Sequence, residues 1–173
     1  MRMRARIAAR LVAFVLAVLV PATASAQPGT VVEIRMVGSS VFDAHFDPVG
    51  VHVEPGTTIR FVNESGLHSS RSYSATPSAS TPQRVPDGVA WWTPIGTDVE
   101  IVVEAEGVYD FFDPAGELMG MVGRIVVGDP ATFPARDPSG LPDAAQETLP
   151  PVEAILGDDD GRLGWDEWQA QLD

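Results

Sequence analysis

The chain has 173 residues, of which 24 are acidic and 11 basic, and its formal net charge is −13. A field of that sign repels nucleic acid and anionic lipid surfaces, so the composition argues against a nucleic-acid partner. No cysteine occurs at any position, which excludes disulfide bonds and thiolate metal ligands.

The N-terminal segment is typical of a secretory signal peptide. Residues 2–10 contain four arginines, residues 11–20 are an unbroken apolar run, and Ala-Ser-Ala at 24–26 fits the cleavage rule. The apolar run is about half of the roughly 20 residues that a bilayer crossing needs, which argues against an uncleaved anchor. We predict a signal peptide over residues 1–26, an exported protein that is periplasmic or extracellular, and no membrane span after cleavage.

Short segments of alternating apolar and polar residues follow between residues 31 and 127, as expected of half-buried strands. The alternating apolar positions are Val32, Ile34, Met36, Val49, Val51, Val53, Ile59, Phe61, Val99, Ile101 and Val103. Two further apolar runs, residues 108–112 and 124–127, close the series. Short strands at this spacing predict an all-β domain over residues 27–130, folded as an antiparallel β-sandwich.

The composition changes after residue 130. Prolines recur through residues 131–173, where they break up any strand, and the segment is acidic. Residues 141–149 and 151–156 have the composition of two short helices, each with proline near its first turn. We predict an acidic, proline-rich C-terminal extension with short helices, because the segment is too short to bury a core of its own.

The end of this extension resembles most of an EF-hand calcium loop. Asp158, Asp160 and Glu167 fall at the third, fifth and twelfth positions of such a loop, where oxygen ligands are expected. Leu156 stands at the first position, which lacks its carboxylate, so calcium would bind weakly. The alternative is an acidic turn ahead of a terminal helix over residues 165–172.

Three segments, taken together, are similar to those of a known family. Residues 46–63 contain a Pro-Gly turn followed by the pattern apolar-x-Phe-x-Asn, residues 66–68 read Gly-Leu-His, and residues 120–128 form a closing apolar strand. They resemble the cupredoxin (blue-copper) family, most closely its plastocyanin, pseudoazurin and halocyanin branch. The resemblance implies a cupredoxin-like Greek-key β-sandwich related to copper-binding electron carriers.

The resemblance also implies where copper ligands would lie. In this branch the last two strands are joined by a loop of pattern Cys-x-x-His-x-x-x-x-Met, and His68 is similar to the histidine ligand that precedes it. Here Asp113 stands at the cysteine, Gly116 at the second histidine and Met121 at the methionine. Blue-copper chemistry depends on a His₂Cys site with a weak axial methionine. We therefore predict a degenerate copper site.

Two states of this degenerate site are open. In one, His68, Asp113 and Met121 hold copper or zinc weakly, without blue colour. In the other, which we favour, no metal binds and a protonated His68 donates a hydrogen bond to Asp113. The favoured function is accordingly a non-blue binding or structural module. The alternative is a copper-binding protein with a non-type-1 site that serves electron transfer or metal handling.

No enzymatic motif stands out, since the chain lacks a Gly-x-Ser-x-Gly turn, a phosphate-binding glycine loop and a His-Glu-x-x-His helix. We therefore predict no enzymatic activity. The loop around Gly116, Leu118 and Met119 is small and apolar, and family members dock redox partners in this region. It is interpreted either as a protein-binding patch or as a loop that has repacked.

Overall fold

The computed structural model describes residues 29–74, 83–133 and 137–172, so the predicted signal peptide lies outside the described residues. The strands are β1 Val31–Val37, β2 His45–Asp47, β3 Gly50–Val53, β4 Thr57–Asn63, β5 Arg71–Ser72, β6 Val99–Val103, β7 Gly107–Phe112, β8 Val122–Val127 and β9 Arg162–Leu163. The α-helices are α1 Asp143–Thr148, α2 Val152–Leu156 and α3 Trp165–Leu172, and short 3₁₀ helices cover Glu117–Met119 and Pro130–Thr132. Across these residues, no helix combines the length and apolarity that a membrane crossing requires.

The strands form two sheets, which confirms the predicted β-sandwich. One sheet has the order β2-β1-β4-β6 and the other the order β5-β7-β8-β3-β9. Five of the seven strand pairs among the described residues are antiparallel, whereas β1 pairs with β4 and β3 pairs with β8 in parallel. The chain crosses from one sheet to the other between β2 and β3, so several strands that become neighbours are not joined by hairpins.

The core lies between the two sheets, and the alternating residues predicted for β1 and β4 are buried in it. Three phenylalanines form its centre: Phe46 and Phe61 each meet Phe111 edge to face, with ring centroids 4.8 Å and 5.2 Å apart. Trp91, at the edge of this cluster, stacks on Phe61 at 6.2 Å. The core therefore closes the sandwich with aromatic contacts, which supply both apolar area and a defined geometry.

The C-terminal extension covers the outer face of the five-stranded sheet. Every residue of β7 and β8 is buried, so these strands lack the exposed face of a half-buried strand. Ile155 and Trp168 pack with Val49 and Val126 in one apolar cluster on that face. A second cluster there joins α1 and its flanks to the ends of β7 and β8. The predicted helices are present, and they bury their apolar residues against the sheet.

Close approach of the extension depends on Gly50. A Cβ atom at this position would lie 2.5 Å from Ile155 Cγ1, which is inside van der Waals contact. The adjacent strand β9 pairs with β3, Gly50 opposite Leu163, and so adds a fifth strand to the sheet. The absence of a side chain at residue 50 thus lets α2 lie directly on the sheet.

Candidate functional site

The structure brings His68 and Asp113 together, as the sequence predicted. His68 lies in the connection between β4 and β5, and Asp113 directly follows β7. His68 Nδ1 is 3.0 Å from Asp113 Oδ2, and the two side chains are only 6% and 2% exposed. The backbone N–H and hydroxyl of Ser69 donate to Asp113 Oδ1, at 3.4 Å and 3.2 Å. The carboxylate is therefore held from both sides by donors.

Both ring nitrogens of His68 face acceptors. Nδ1 faces the Asp113 carboxylate, and Nε2 lies 3.0 Å from the carbonyl oxygen of Gly38. A carbonyl oxygen can only accept a hydrogen bond, and so can each oxygen of an ionised carboxylate. Two N–H donors on one imidazole require the doubly protonated, positively charged ring. The geometry fits an imidazolium–carboxylate pair in which neither nitrogen keeps a lone pair for a metal.

Met121 and Gly116 pack against each other beside this pair. The Met121 side chain is fully buried within the central core cluster. A Cβ atom added to Gly116 would lie 2.7 Å from Met121 Cβ and 3.2 Å from its Sδ. The backbone N–H of Met121 donates to the Gly116 carbonyl at 3.0 Å. Met121 therefore occupies the space that the Cβ atom of any other residue at position 116 would need.

The residues at this site do not fit a blue-copper ion. The chain has no thiolate to offer, Gly116 supplies no imidazole, and both nitrogens of His68 are engaged. Within residues 29–74, 83–133 and 137–172, no three histidine or carboxylate side chains are grouped so that they could hold a metal ion. Metal binding by His68, Asp113 and Met121 stays a prediction, and its geometry would have to differ from the one described.

Exposed apolar side chains stand on the segments that hold the pair. Leu67, beside His68, is 76% exposed, and Leu118, in the 3₁₀ helix after Asp113, is 69% exposed. The backbone N–H of Gly96 donates to the His68 carbonyl at 2.7 Å, which brings Ile95, 66% exposed, to the same end of the sandwich. Met119 is exposed as well. We name Leu67, Ile95, Leu118 and Met119 the apolar end.

The C-terminal loop that holds Asp158, Asp160 and Glu167 is organised by hydrogen bonds to Asp158. Asp158 Oδ1 accepts hydrogen bonds from the backbone N–H groups of Asp160 and Arg162, each at 3.1 Å, and these bonds lower the Asp158 pKa. Partial desolvation, followed by the negative charge of Asp158, raises the pKa of Glu167. Residue 163, in β9, pairs with the sandwich at Gly50. Calcium binding by Asp158, Asp160 and Glu167 stays a prediction.

A second buried charge cluster was missed by the sequence analysis. Asp110, in the middle of β7, is fully buried between Arg84 and Arg124. Arg124 donates to it twice, from Nε at 2.7 Å and from Nη2 at 3.1 Å, and Arg84 donates from Nε at 2.8 Å. The available signal was a charged residue within each of the two closing segments, Asp110 in the middle of residues 108–112 and Arg124 at the start of residues 124–127. Alternation does not reveal it, because both faces of these strands are buried.

The Arg84–Asp110–Arg124 cluster connects the sheet to the C-terminal extension. Arg124 Nη1 donates to the Pro150 carbonyl and Arg84 Nη1 to the Asp137 carbonyl, both at 2.8 Å. Arg84 Nη2 is the one buried side-chain nitrogen or oxygen in the described part of the chain that has no hydrogen-bond partner. Two permanent cations thus share one carboxylate in a buried place.

Tyr73 links this cluster to the loop that follows Asp113, since the backbone N–H of Tyr73 donates to the Asp110 carbonyl at 3.0 Å. Its hydroxyl donates to Glu117 Oε1 at 2.8 Å, and its ring packs on Phe112 with centroids 4.3 Å apart. Burial, and next the Glu117 carboxylate, raise the pKa of Tyr73 far above its usual range. The hydroxyl therefore stays neutral as a donor, and it anchors the 3₁₀ helix to the sheet.

Comparison with known proteins identifies the family. No family model matches the chain. Pseudoazurin from Methylorubrum extorquens is 31% identical over 128 residues, which cover 73% of this chain and 78% of that protein. The pseudoazurin structure from Sinorhizobium meliloti superposes with a TM-score of 0.56 at 24% identity, over 69% of this chain and 90% of that one. That from Hyphomicrobium denitrificans gives a TM-score of 0.50 at 25% identity, over 60% and 79% of the respective chains. The sandwich and the aligned relative together mean that the chain belongs to the cupredoxin family, a family of copper-binding electron carriers.

Proposed function

We propose that this protein is an exported, non-blue member of the cupredoxin family that acts by binding another protein. A buried imidazolium–carboxylate pair, His68 and Asp113, takes the place of the metal ion. In this proposal the protein neither transfers electrons through copper nor acts as an enzyme. Its place of action is the periplasm or the extracellular space, as the N-terminal sequence predicts.

One observation carries the proposal: both nitrogens of a buried imidazole face acceptors. A buried charge is stable only when it is paired and hydrogen-bonded, and the pair meets both conditions. The ring connects Gly38, ahead of β2, to Asp113, after β7. A metal ion that holds together loops from different strands would have the same structural role, so the pair can preserve the shape of this end of the sandwich.

The apolar end supports a protein partner as the ligand. Large exposed apolar side chains grouped on one surface mark interaction sites more often than scattered ones do. Leu67 and Ile95 are held in position by the bond from Gly96 to His68, and Leu118 is held by the 3₁₀ helix anchored through Tyr73. The surface that would meet a partner is thus fixed by the same residues that surround the ion pair.

The alternative function is copper binding at a non-type-1 site formed by His68, Asp113 and Met121. It is favoured by the proximity of an imidazole and a carboxylate, which together suit Cu(II). Copper would have to displace the proton on His68 Nδ1, and Met121 would have to turn away from Gly116. Electron transfer or metal handling would then be the role.

Nitrogen NMR of the His68 ring tests the ion pair. In metal-free protein at neutral pH, both ring nitrogens should show protonated shifts and couplings to hydrogen. His52 provides an internal comparison, because its Nε2 faces a single backbone acceptor, the Gly128 carbonyl, at 3.0 Å. A single unprotonated nitrogen on His68 would rule out the imidazolium.

Copper titration distinguishes the two functions. In calorimetry and electron paramagnetic resonance, the unaltered protein and His68→Ala should respond to Cu(II) in the same way, because no copper site depends on His68. The variant Asp113→Cys is the positive control, because it places a thiolate next to His68 and should produce intense visible absorption with Cu(II). A His68-dependent copper site in the unaltered protein would support the alternative instead.

Partner binding is tested with matched surface variants. Immobilised protein is exposed to the periplasmic fraction of its source organism, and the bound proteins are identified by mass spectrometry. A specific partner should be retained by the unaltered protein and by Leu156→Asp, whose apolar side chain is exposed on α2, and lost with Leu118→Asp. Equal retention by all three baits would contradict docking at the apolar end.

A further inference from the structure

Strand β6 is an open edge of the four-stranded sheet. It pairs with β4 on one side, from Thr57 opposite Val103 to Phe61 opposite Val99. On its other side, no strand of the described residues, 29–74, 83–133 and 137–172, is paired with it. At five residues it is longer than β5, β2 or β9, which are the other edge strands. An edge of this kind presents backbone donors and acceptors that another chain can use.

The register shows which backbone groups point outwards. The N–H of Thr58 donates to the Thr30 carbonyl, so the even-numbered residues of β4 turn their backbone groups towards β1. The odd-numbered residues of β4 therefore face β6, and they meet Val99, Ile101 and Val103. The N–H and C=O groups of Glu100 and Val102 consequently point away from the sheet.

The surface next to this edge is open and acidic. Val102 is 56% exposed, and Val99 and Ile101 keep part of their surface accessible although they face the core. A surface cavity of about 330 Å³ lies at the start of the strand, lined by Arg60, Asp98, Val99 and Glu100. Arg60 lies opposite Glu100 in the strand register and is paired with Asp98 at 3.2 Å, so the cavity lining carries two carboxylates and one cation. Glu104 and Glu106 follow the strand and are exposed.

We propose that the free edge of β6 binds an extended, positively charged segment of a partner protein as an added strand. The backbone groups of Glu100 and Val102 supply the hydrogen bonds, and the acidic cavity takes a basic side chain of the added segment. A second copy of this chain is a poor occupant, because in the fully overlapping antiparallel register of two β6 strands Asp98 of one copy lies opposite Glu104 of the other. This surface is separate from the apolar end and does not depend on the His68–Asp113 pair.

A synthetic peptide tests the proposal. The probe is a capped eight-residue peptide of alternating lysine and valine, and its affinity for the full chain is measured by calorimetry. Val102→Pro removes an outward N–H without removing a bond to β4, so it should weaken binding by about tenfold or more. The matched variant Val102→Ala keeps that N–H and should bind within about twofold of the unaltered protein. Circular dichroism verifies that both variants fold.

Hydrogen exchange provides a reading that needs no variant. The amides of Glu100 and Val102 should exchange quickly in the free protein and slow down when the peptide is added. A peptide methylated on every backbone nitrogen keeps the charge and should not bind. The proposal is overturned by equal binding of the methylated peptide, by unchanged binding to Val102→Pro, or by amides already protected in the free chain. Self-association that Val102→Pro abolishes would also overturn it, in favour of a second copy.

Discussion

Two buried carboxylates three residues apart, Asp110 and Asp113, are paired with basic side chains of different chemistry. Asp113 faces His68, and an imidazole exists in both a neutral and a charged form. Asp110 faces Arg84 and Arg124, which keep their charge at every accessible pH. Removal of Asp110 should therefore lower the stability of the protein more than removal of Asp113. The chemistry of the partner, and not burial alone, determines how much stability depends on a buried ion pair.

The largest effect is expected from Asp110→Ala, which leaves two arginines buried without their carboxylate. We expect a loss of unfolding free energy of about 3–5 kcal/mol, measured by urea denaturation. The control is Glu64→Ala, which breaks the half-exposed pair with Arg35 and should cost about 0–1 kcal/mol. Equal costs for the two variants would mean that the buried cluster is not a distinct source of stability.

Arg84→Met should cost less than Asp110→Ala, although it removes a member of the same cluster. Asp110 keeps its two hydrogen bonds from Arg124, and the unpaired Nη2 of Arg84 disappears. The remaining loss comes from two hydrogen bonds, from Arg84 Nε to Asp110 and from Arg84 Nη1 to the Asp137 carbonyl, and we expect it to be about 2–3 kcal/mol by the same denaturation measurement. A cost as large as that of Asp110→Ala would show that the second arginine is needed for the fold.

Asp113→Ala should be intermediate or smaller, about 1–3 kcal/mol at neutral pH, because His68 can become neutral once its partner is lost. Nitrogen NMR of His68 in this variant should then show one unprotonated ring nitrogen. Asp113→Asn, which keeps an acceptor at this position, should cost less than Asp113→Ala. If Asp113→Ala and Asp110→Ala lowered the unfolding free energy equally, the proposed contrast between His68 and the two arginines would be wrong.

The smallest effect is expected at Tyr73, which joins the Arg84–Asp110–Arg124 cluster to the loop after Asp113. Burial raises the pKa of both tyrosines in the chain, Tyr73 and Tyr109, so each should ionise at a higher pH in the folded protein than in the unfolded chain. Unfolded tyrosines lose their protons near pH 10, so stability should decrease as pH rises above about 10. Tyr73→Phe should cost about 0.5–1.5 kcal/mol at neutral pH and lessen the loss between pH 10 and 11 by about 1 kcal/mol. Absorbance titration measures the ionisation of the tyrosines, and urea denaturation at each pH measures stability. Formation of tyrosinate at the pKa of a free tyrosine, in protein that is still folded, would contradict the raised pKa values.

The sequence predicts the His68–Asp113 pair but not the Arg84–Asp110–Arg124 cluster, for a physical reason. The resemblance placed Asp113 at the cysteine of the copper loop and His68 at the histidine ligand that precedes the loop. Copper ligands lie close together in the shared fold, so contact between the two side chains was expected. Asp110 and Arg124 lie on strands whose second face is covered by the C-terminal extension, and that cover cannot be inferred from alternation. The packing of Met121 against Gly116 was equally hidden, since it depends on a close approach between backbone segments.

The pairing of β9 with β3 also affects when the protein can fold. Residues 162 and 163 complete a sheet whose partner strand begins at Gly50, so most of the chain must be synthesised before that edge forms. Contacts between residues so distant in sequence make folding slow. Until they form, the chain that leaves the ribosome has the apolar outer face of β3 and β8 uncovered, and it has the greatest need of a chaperone at that stage.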